Sequence, residues 1–271
     1  MGKNTHIQTR LGKLKPEVIH STGHLQKLLT GRKYTLFPIM MLTERPDRVV
    51  LNLTQGKIVL LVQGNGFALI APAVFYDFIS SMDDLFQTFW ISAFIIINRY
   101  VSIFLTVLLP AIYISTVSFN PELFRVQLTL SIAGSREGVP YPSFIEVMIM
   151  MFLIEALIEA SIRLPKYISA AATTVGGLIL GQAAQQAGLV SSIMIIVTST
   201  LAIANFVVPI NAMSFALRVL KYPFIVLSTF FGIVGIAVGL FCLIIYLNDL
   251  KSFGKPYLKI FVGEQETIGK L

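Results

Sequence analysis

Charged residues are scarce in this 271-residue chain. They make up 13% of it, well below the roughly one-quarter that is usual in soluble domains. Hydrophobic residues make up 55%, and the mean hydropathy is +0.77. This balance excludes an ordinary soluble domain for most of the chain and indicates a membrane protein.

Cysteine and histidine are almost absent. The single cysteine, Cys242, lies inside an apolar run, and the three histidines, His6, His20 and His24, all lie near the N-terminus. These numbers and positions exclude a disulfide framework and a metal-ligand spacing, so neither a cofactor nor a metal is expected. The N-terminus also lacks the charged, apolar and small-residue regions of a signal peptide, and the first segment is therefore expected to be cytoplasmic.

Two functional classes find no support in the residues that are present. The net charge of +7 is spread over the N-terminal segment, short loops and the tail, without a basic patch or a nucleic-acid-binding motif, so no nucleic-acid partner is expected. No nucleophile–base set occurs, and Gly64-Asn65-Gly66 lacks the remaining spacing of a dinucleotide motif. An enzyme is not expected.

Composition divides the chain into four parts. A basic N-terminal segment (1–36) has the composition of a linker or disordered start, and a small soluble α+β module (37–88) follows it. A membrane domain (89–248) and a C-terminal cytoplasmic tail (249–271) complete the chain. Most of the apolar residues therefore fall in one continuous block.

The module has turn and cap signals of its own. Thr43 is expected to be the N-cap of a short helix with Pro46 in its first turn and Gly56 as its stop. The apolar runs Lys57–Val62 and Phe67–Ala71 flank a turn rich in glycine and asparagine, which predicts a β-hairpin.

The apolar block predicts an α-helical polytopic membrane protein, with four or five membrane helices after the small α+β soluble module. Five apolar segments are present: Trp90–Val117, Pro142–Ile162, Ile168–Ala187, Ile193–Leu217 and Phe224–Leu247. The excess of Lys and Arg in cytoplasmic loops places the Arg163/Lys166 and Arg218/Lys221 loops inside. Five full spans would put the basic tail outside, so one segment is expected to be re-entrant or interfacial if five are present.

Ionisable residues within these segments are candidates for function, because each costs roughly 2.5–3.5 kcal/mol to insert. Glu155 and Glu159 are about 40° apart around a helix, Arg163 continues the stripe, and Glu146 points away. This stripe is interpreted either as a polar face lining a cation path or as a Glu159–Arg163 pair that anchors a helix end. Arg99 is expected to pack against a carboxylate such as Glu146.

Small residues form a second pattern. Helix packing is expected at five glycines, because small-xxx-small spacings let membrane helices approach closely: Gly177, Gly181, Gly188, Gly235 and Gly239. Gln182 adds a hydrogen-bonding group to the same region and is a second pore-face candidate. Asn205, Pro209 and Asn211 predict a break in the fourth apolar segment, either a kink or a solute-binding discontinuity.

Four strings taken in order resemble the A subunit of spore germinant receptors, the GerA family. They run from Thr43-Glu44-Arg45-Pro46-Asp47-Arg48-Val49-Val50 through Ser131-Ile132-Ala133-Gly134-Ser135-Arg136-Glu137-Gly138-Val139-Pro140 and Gly181-Gln182-Ala183-Ala184 to Ser252-Phe253-Gly254-Lys255-Pro256-Tyr257-Leu258. The residues taken as the family motif are Glu44, Arg45, Pro46, Ser135, Arg136, Glu137 and Gly138. Members of that family carry a longer soluble N-terminal region, of which this chain holds the last module.

The resemblance implies a multi-pass protein of the spore inner membrane in an endospore-forming bacterium. Its implied partners are a transporter-like B subunit, a lipoprotein C subunit, further copies of itself and membrane lipid. It would oligomerise and take part in the nutrient-triggered ion release that starts germination. Two alternatives from the residues stay open: a non-conducting membrane scaffold for the partner subunits, suggested by the glycine faces, and a secondary transporter, suggested by the Asn205–Asn211 break.

Overall fold

The computed structural model describes residues 19–31, 35–123 and 125–259, together with Thr9 and Gly12. The described chain is mostly helical with a small sheet, and it divides into two compact units. The first unit comprises Met1–Tyr100, Val208–Ala216 and Cys242–Leu271, and the second comprises Val101–Val207 and Leu217–Phe241. The other residues of the predicted segment 1–36, and residues 260–271 of the predicted tail, lie outside the described residues.

The first unit opens with a helix in the region whose composition suggested a linker. Helix α1 spans Thr22–Thr30, and the hydroxyl oxygen of Ser21 caps it by accepting a 3.1 Å hydrogen bond from the backbone N–H of His24. Leu25 and Leu29 are buried one helical turn apart. Their burial provides the stabilisation that a disordered start would lack, so this part of the expectation for 1–36 is wrong.

The module that follows is a three-stranded antiparallel sheet with short helices. Strands β1 (Met41–Thr43) and β2 (Ile58–Leu61) both pair with β3 (Ala68–Ala71), in which all four residues are buried. The predicted hairpin is confirmed, since β2 and β3 pair in antiparallel register. Helix α2 (Pro46–Thr54) lies between β1 and β2, and α3 (Phe75–Ile79) follows β3.

The start of α2 differs from the sequence-based expectation. Arg45 is the N-cap residue, and Thr43 lies two residues earlier, at the end of β1. The Thr43 hydroxyl accepts a 3.1 Å hydrogen bond from the backbone N–H of Arg45 instead of capping the helix. Because Thr43 pairs with Ala68 in the sheet, it is not available for the capping position.

The C-terminal segment belongs to the first unit. Strands β4 (Lys251–Ser252) and β5 (Lys255–Pro256) form a two-stranded sheet. The buried Ser252 hydroxyl donates to the carbonyl of Ile39 at 2.7 Å and accepts from the backbone N–H of Ala73 at 3.1 Å. Residues predicted as a tail are thus bonded to the module.

Seven helical segments account for most of the rest of the chain. They are α4 (Phe89–Ser118), α5 (Val126–Arg136), α6 (Ser143–Arg163), α7 (Lys166–Gln186), α8 (Ser192–Phe206) and α9 (Asn211–Asp249), which Gly232 interrupts and divides in two. Short 3₁₀ helices precede and follow α4, at Met82–Phe86 and Pro121–Leu123. Helix α5 lies between the first two predicted apolar segments. Among the described helices, α4 and α9 are long and apolar enough to cross a membrane.

The break at Gly232 turns α9 into a helical hairpin. Gly232 has φ 57° and ψ −137°, a left-handed conformation that glycine adopts without a side-chain clash. Beyond it, a Cβ on Gly235 would lie 2.3 Å from the carbonyl oxygen of Leu227, so the two halves run back along each other. The prediction of one continuous span over Phe224–Leu247 is therefore wrong.

A core of apolar side chains from several helices holds the second unit together. Fully buried residues of α4, α6, α8 and α9 meet in it, including Ile114, Met151, Met194 and Ile225. The predicted break in the fourth apolar segment is confirmed, because α8 ends at Phe206 and the next helix begins at Asn211.

Candidate functional site: charged clusters in the helical unit

Glu155 on α6 lies at the centre of a charged cluster in the second unit. Its Oε1 atom accepts a hydrogen bond from Nε of Arg218 at 2.9 Å and a second one from Nη2 of the same side chain. Nζ of Lys221 lies 3.5 Å from the other carboxylate oxygen. Two cations therefore meet one carboxylate, and the cluster carries a formal charge of +1.

The cluster is enclosed to different degrees. Lys221 has a side-chain exposure of 0% and Arg218 of 8%, whereas that of Glu155 is 32%. The two cations are thus sealed inside the unit, and the carboxylate is the member nearest to its surface. The Lys221 ammonium also lies 5.4 Å from the ring centroid of Tyr222, which is within the range of a cation–π contact.

Arg218 and Lys221 were expected in a cytoplasmic loop, and that expectation is wrong because both lie within α9. They are three positions apart in the chain, so they share a helix face. The sequence does contain a signal for a continuous helix here, because no helix-breaking glycine or asparagine lies between Asn211 and Tyr222. The sequence placed the break correctly at residues 205–211. It extended the fourth apolar segment to Leu217, however, beyond the end of α8 at Phe206.

The remaining members of the predicted stripe lie in another environment. Nη2 of Arg163 donates to Oε1 of Glu159 at 2.8 Å across one helical turn, and both side chains are more than half exposed. This is the i,i+4 pair expected under the interpretation in which Glu159 and Arg163 anchor a helix end. The contribution of such an exposed pair to stability is small. The structure therefore does not bring Glu155 and Glu159 into one shared cluster, although they are one turn apart.

Glu146 is the carboxylate that the sequence interpretation set aside. Its exposure is 0%, and its Oε1 atom accepts hydrogen bonds from the backbone N–H and the hydroxyl of Ser191, at 2.7 and 2.6 Å. Its Oε2 atom accepts from the Tyr113 hydroxyl at 3.0 Å and lies 3.4 Å from Nε of Arg136. One buried carboxylate thus joins α4, α5, α6 and the turn before α8.

Arg99 pairs with a carboxylate, as expected, but that carboxylate is Asp84 and not Glu146. Its guanidinium forms a bidentate ion pair with Asp84, one bond of which is 2.9 Å long, and donates to the carbonyl of Ile79 at 3.1 Å. All three residues belong to the first unit. Arg99 lies ten residues into α4, and its side chain reaches the 3₁₀ segment just before the helix.

Two of the predicted packing glycines lie very close to other residues of the same chain. A Cβ on Gly235 would meet the backbone of Leu227 at 2.3 Å, and one on Gly239 would meet the Phe224 ring at 2.9 Å. Both positions are required by the hairpin that follows Gly232. Their spacing therefore serves a contact within one chain.

The other three predicted glycines lie at or near α7. Cβ atoms on Gly177 and Gly181 would lie 3.5 and 3.9 Å from the nearest atoms, in ordinary van der Waals contact and without a clash. Gly188 follows the end of α7 with φ 65°, where it stops the helix. Gln182 is exposed on the same helix.

The first unit pairs its charges in a different way. Nζ of Lys57 lies 2.7 Å from Oδ2 of Asp77, and Nη2 of Arg48 donates to the carbonyls of Asp77 and Ser80 at 2.6 and 2.7 Å. Burial lowers the pKa of Lys57 and of Arg48, since an apolar surrounding disfavours the charged form. Within the described residues, no group of three or more His, Cys, Asp or Glu is placed to hold a metal ion.

Comparison with known proteins gives this arrangement a context. A family profile described as Bacillus/Clostridium GerA spore germination protein matches residues 5–268. The chain belongs to this GerA family. No solved structure matches it.

Three relatives illustrate the relationship. The chain is 38% identical over 252 residues to spore germination protein KA of Bacillus subtilis (strain 168), covering 93% of this chain and 46% of that protein. It is 41% identical over 249 residues to spore germination protein B1 of the same organism, covering 92% and 52%. The uncharacterized membrane protein YfkQ, also from that organism, is 35% identical over 249 residues, covering 92% and 48%. The chain thus spans about half the length of the curated relatives it matches.

The first string that carries the GerA resemblance forms a surface network. The Arg45 guanidinium bonds to the carboxylates of Asp47 and Asp83, with the shortest contacts at 2.8 and 3.1 Å, and these bonds lower the pKa of both carboxyls. Pro46 begins α2, and Glu44 is exposed beside it.

The second string lies at the end of α5 and contacts the Glu146 cluster. Arg136 approaches Glu146 and also donates to the carbonyl of Tyr141 at 3.2 Å. A Cβ on Gly188 would lie 3.0 Å from the carbonyl oxygen of Gly138, so the two turns are close. Ser135 bonds to the Ile132 carbonyl of its own helix, and Glu137 is the residue that ends it.

Proposed function

We propose that this chain is a membrane subunit of a spore germinant receptor that oligomerises and takes part in the nutrient-triggered ion release that starts germination. Its relatives with printed functions are spore germination proteins. The proposal goes beyond those names in assigning an ion path, and it puts the chain in the spore inner membrane. It is the best account of charged residues enclosed by apolar helices.

The Glu155–Arg218–Lys221 cluster is the observation that carries the proposal. Ionisable side chains inside apolar helices cost roughly 2.5–3.5 kcal/mol each to insert, and those that persist commonly mark ion pathways. The carboxylate is the most exposed member, and two buried cations hold it in position. In the proposed path, Glu155 presents its charge to a passing cation, and Glu159 extends the acidic face toward the helix end.

The contacts of the first unit support an even number of membrane crossings. Residues before α4 and after α9 belong to one compact unit, joined through Ser252 and Tyr257. Both flanks of the apolar block therefore lie on one side, which favours four crossings over five among the alternatives from sequence. Since Gly232 divides the last predicted span, six crossings also satisfy this condition, with the basic tail inside.

The proposed partners are a transporter-like B subunit, a lipoprotein C subunit and further copies of this chain. Helix α5 supports the involvement of neighbours, because none of its described residues is buried and Val126, Leu128 and Leu130 are exposed. An 11-residue helix is also too short to span a bilayer core of roughly 30 Å. Co-purification with tagged B and C subunits tests this part of the proposal.

Ion release should be tested with matched carboxylate variants. The chain and its partner subunits are reconstituted in vesicles, and nutrient-triggered potassium efflux is recorded for the wild type, Glu155→Gln and Glu159→Gln. Glu155→Gln is expected to lower efflux and cation selectivity, and the change at the exposed Glu159 is expected to act in the same direction with a smaller effect. The double variant Glu155→Gln/Lys221→Met keeps the cluster at its formal charge of +1, and it separates loss of the carboxylate from loss of folding.

Two outcomes would favour other functions. Intact subunit association without ion flux in any variant would support the non-conducting scaffold. Solute uptake by this subunit alone would support a secondary transporter. The latter has one structural observation in its favour: Asn205, next to the break after α8, is buried, and neither polar atom of its amide has a hydrogen-bond partner among the described residues.

A further inference from the structure

A groove of about 400 Å³ lies between α6, α7 and α8 in the second unit. Its size is within the range of small-molecule sites. Every described lining residue is uncharged; four carry hydroxyl groups, and the rest are apolar, including Met150, Ile154, Leu157 and Ile195. The groove therefore offers no partner for a charged headgroup or a free ion.

Missing side chains create the space. Gly177 and Gly181 line the groove one helical turn apart on α7, and Cβ atoms at these positions would lie 3.5 Å from a Leu157 methyl and 3.9 Å from an Ile195 methyl. A larger residue at either position would occupy the groove. A methyl group would fit at either position in ordinary van der Waals contact, and a longer side chain would extend into the groove.

The chemistry of the lining selects an apolar occupant. The Thr198 hydroxyl, which lines the groove, donates within its own helix to the carbonyls of Met194 and Ile195, at 2.9 and 3.0 Å. Its hydrogen-bonding capacity is therefore used by the backbone, as is common for threonine in helices. A polar ligand would lose hydrogen bonds to water on entering and would not regain one from this donor.

The shape selects an elongated occupant. Lining residues extend from Met150 to Ile158 on α6 and from Ile195 to Phe206 on α8, which at 1.5 Å per residue corresponds to roughly 12 and 16 Å along the helix axes. At the mouth, Leu178, Ile203 and Phe206 are 60%, 68% and 66% exposed. These side chains continue the apolar lining onto the outer surface of the unit.

We infer that this groove binds one acyl chain of a membrane phospholipid. The inference rests on the proposed membrane placement of the second unit and not on ion release. The acyl chain lies along α7 against Gly177 and Gly181, and its headgroup stays outside the groove. The bound lipid fills a space that would otherwise be empty between three helices.

Photolabelling in vesicles tests this site. The full chain is reconstituted with phosphatidylglycerol that carries a diazirine in one acyl chain, irradiated, and mapped by peptide mass spectrometry. Saturable labelling is expected on the peptides containing Leu178 and Ile203. Gly181→Leu and Ala202→Leu, which fill the groove from opposite walls, should each abolish that labelling, whereas Ala237→Leu on the exposed face of α9 should leave it unchanged.

Labelling of the exposed Phe230 region, which bulk lipid contacts, reports membrane insertion independently. If Phe230 is labelled and the groove is not, the lipid site is wrong while the membrane placement stands. If neither is labelled, the membrane placement is wrong. Labelling by a free alkyl diazirine but not by the phospholipid, or crosslinking of Ile203→Cys between copies in a Cys242→Ser background, would also overturn the inference.

Discussion

The module of the first unit and the helical second unit differ in where they place aromatic and charged side chains. The module encloses aromatic rings: Tyr257 is fully buried and contacts Phe37, Phe75 and Phe78, with ring centroids 6.2–6.4 Å apart. Its Arg45 network is on the surface. This is the arrangement of a protein that folds in water, where burial of apolar surface is the main stabilising contribution.

The second unit has an apolar core as well, but its charged and aromatic side chains are placed differently. It encloses Glu146 and Lys221 completely, while Phe230 and Phe241 are 72% and 66% exposed. Such a surface is unfavourable in water but suits a lipid environment, where helices associate through close packing and polar contacts. The difference supports the proposed membrane placement of the second unit.

Replacing Glu146 with alanine should lower the free energy of unfolding more than any other substitution proposed below. The substitution leaves Arg136, whose side chain is 20% exposed, without its carboxylate and the Ser191 N–H without its acceptor, so the free energy of unfolding should fall by about 3 kcal/mol. Glu146→Gln should cost less, about 1–3 kcal/mol, because the amide oxygen still accepts a hydrogen bond. Unfolding in mixed detergent micelles measures both.

Glu159→Ala is the matched control on the same helix and should change the free energy of unfolding by ~0.5 kcal/mol or less, since its pair is exposed. Equal effects at positions 146 and 159 would show that the buried polar contacts do not stabilise the second unit.

Substitution of Gly235 and of Gly181 with alanine should change stability in opposite directions. Gly235→Ala places a methyl group 2.3 Å from the carbonyl oxygen of Leu227, so overpacking should lower the free energy of unfolding by about 1–3 kcal/mol. Gly181→Ala should have the opposite sign and add about 0.5–1 kcal/mol, because its Cβ is 3.9 Å from its nearest neighbour and alanine favours the helix. Melting temperatures in detergent are sufficient, and an unchanged or higher melting temperature for Gly235→Ala would contradict the hairpin at Gly232.

Ser252→Ala tests how the C-terminal segment is attached to the module. The loss of its hydroxyl should lower the free energy of unfolding by only about 1 kcal/mol, because the Ala73 N–H retains a 3.2 Å bond to the carbonyl of Ile39. The exposed Thr54→Ala should change it by less than about 0.5 kcal/mol. Proteolysis near residue 250 should become faster in Ser252→Ala and remain unchanged in the control.

Tyr257→Phe should give the smallest effect and a stabilising one. The Tyr257 hydroxyl is buried and has no hydrogen-bond partner among the described residues, so its removal should add about 1 kcal/mol. Burial also raises the pKa of Tyr257 above its usual 10, so the folded state keeps a proton that the unfolded state loses. Wild-type stability should therefore fall as the pH rises above about 10.

The phenylalanine variant should lose part of that alkaline decline. Burial also raises the pKa of Tyr76, so some decline should remain. The lowered pKa of Lys57 acts in the opposite direction, and comparison of the two proteins at each pH cancels its contribution. An identical alkaline decline in both proteins would show that Tyr257 does not contribute to it.

The features that the sequence predicted well are local. The hairpin of β2 and β3 follows from its turn residues, and the break after Asn205 follows from Asn and Pro in an apolar run. The bend at Gly232 was not recognised, because a lone glycine in an apolar segment reads equally well as helix packing. Only its backbone angles distinguish the two.

The partners of the charged residues depend on which helices meet. Glu146 and Glu155 look alike in the sequence, and an isolated helix places them on different faces without indicating which face is enclosed. Arg218 and Lys221 were assigned to a loop because positive charge is typical of loop regions in membrane proteins. Their pairing with Glu155 requires tertiary contacts, since even Arg218 is 63 residues away in the chain.

Accessibility of two engineered cysteines tests the central claim. This claim is that the helices of the second unit lie in the membrane and that the segments before α4 and after α9 lie on the same side of it. Leu53→Cys in the module and Lys251→Cys after α9 are introduced separately in a Cys242→Ser background, and labelled with a membrane-impermeant maleimide in right-side-out and inverted vesicles. The account predicts that both cysteines react in the same vesicle orientation, which requires an even number of crossings. Reaction in opposite orientations would contradict it.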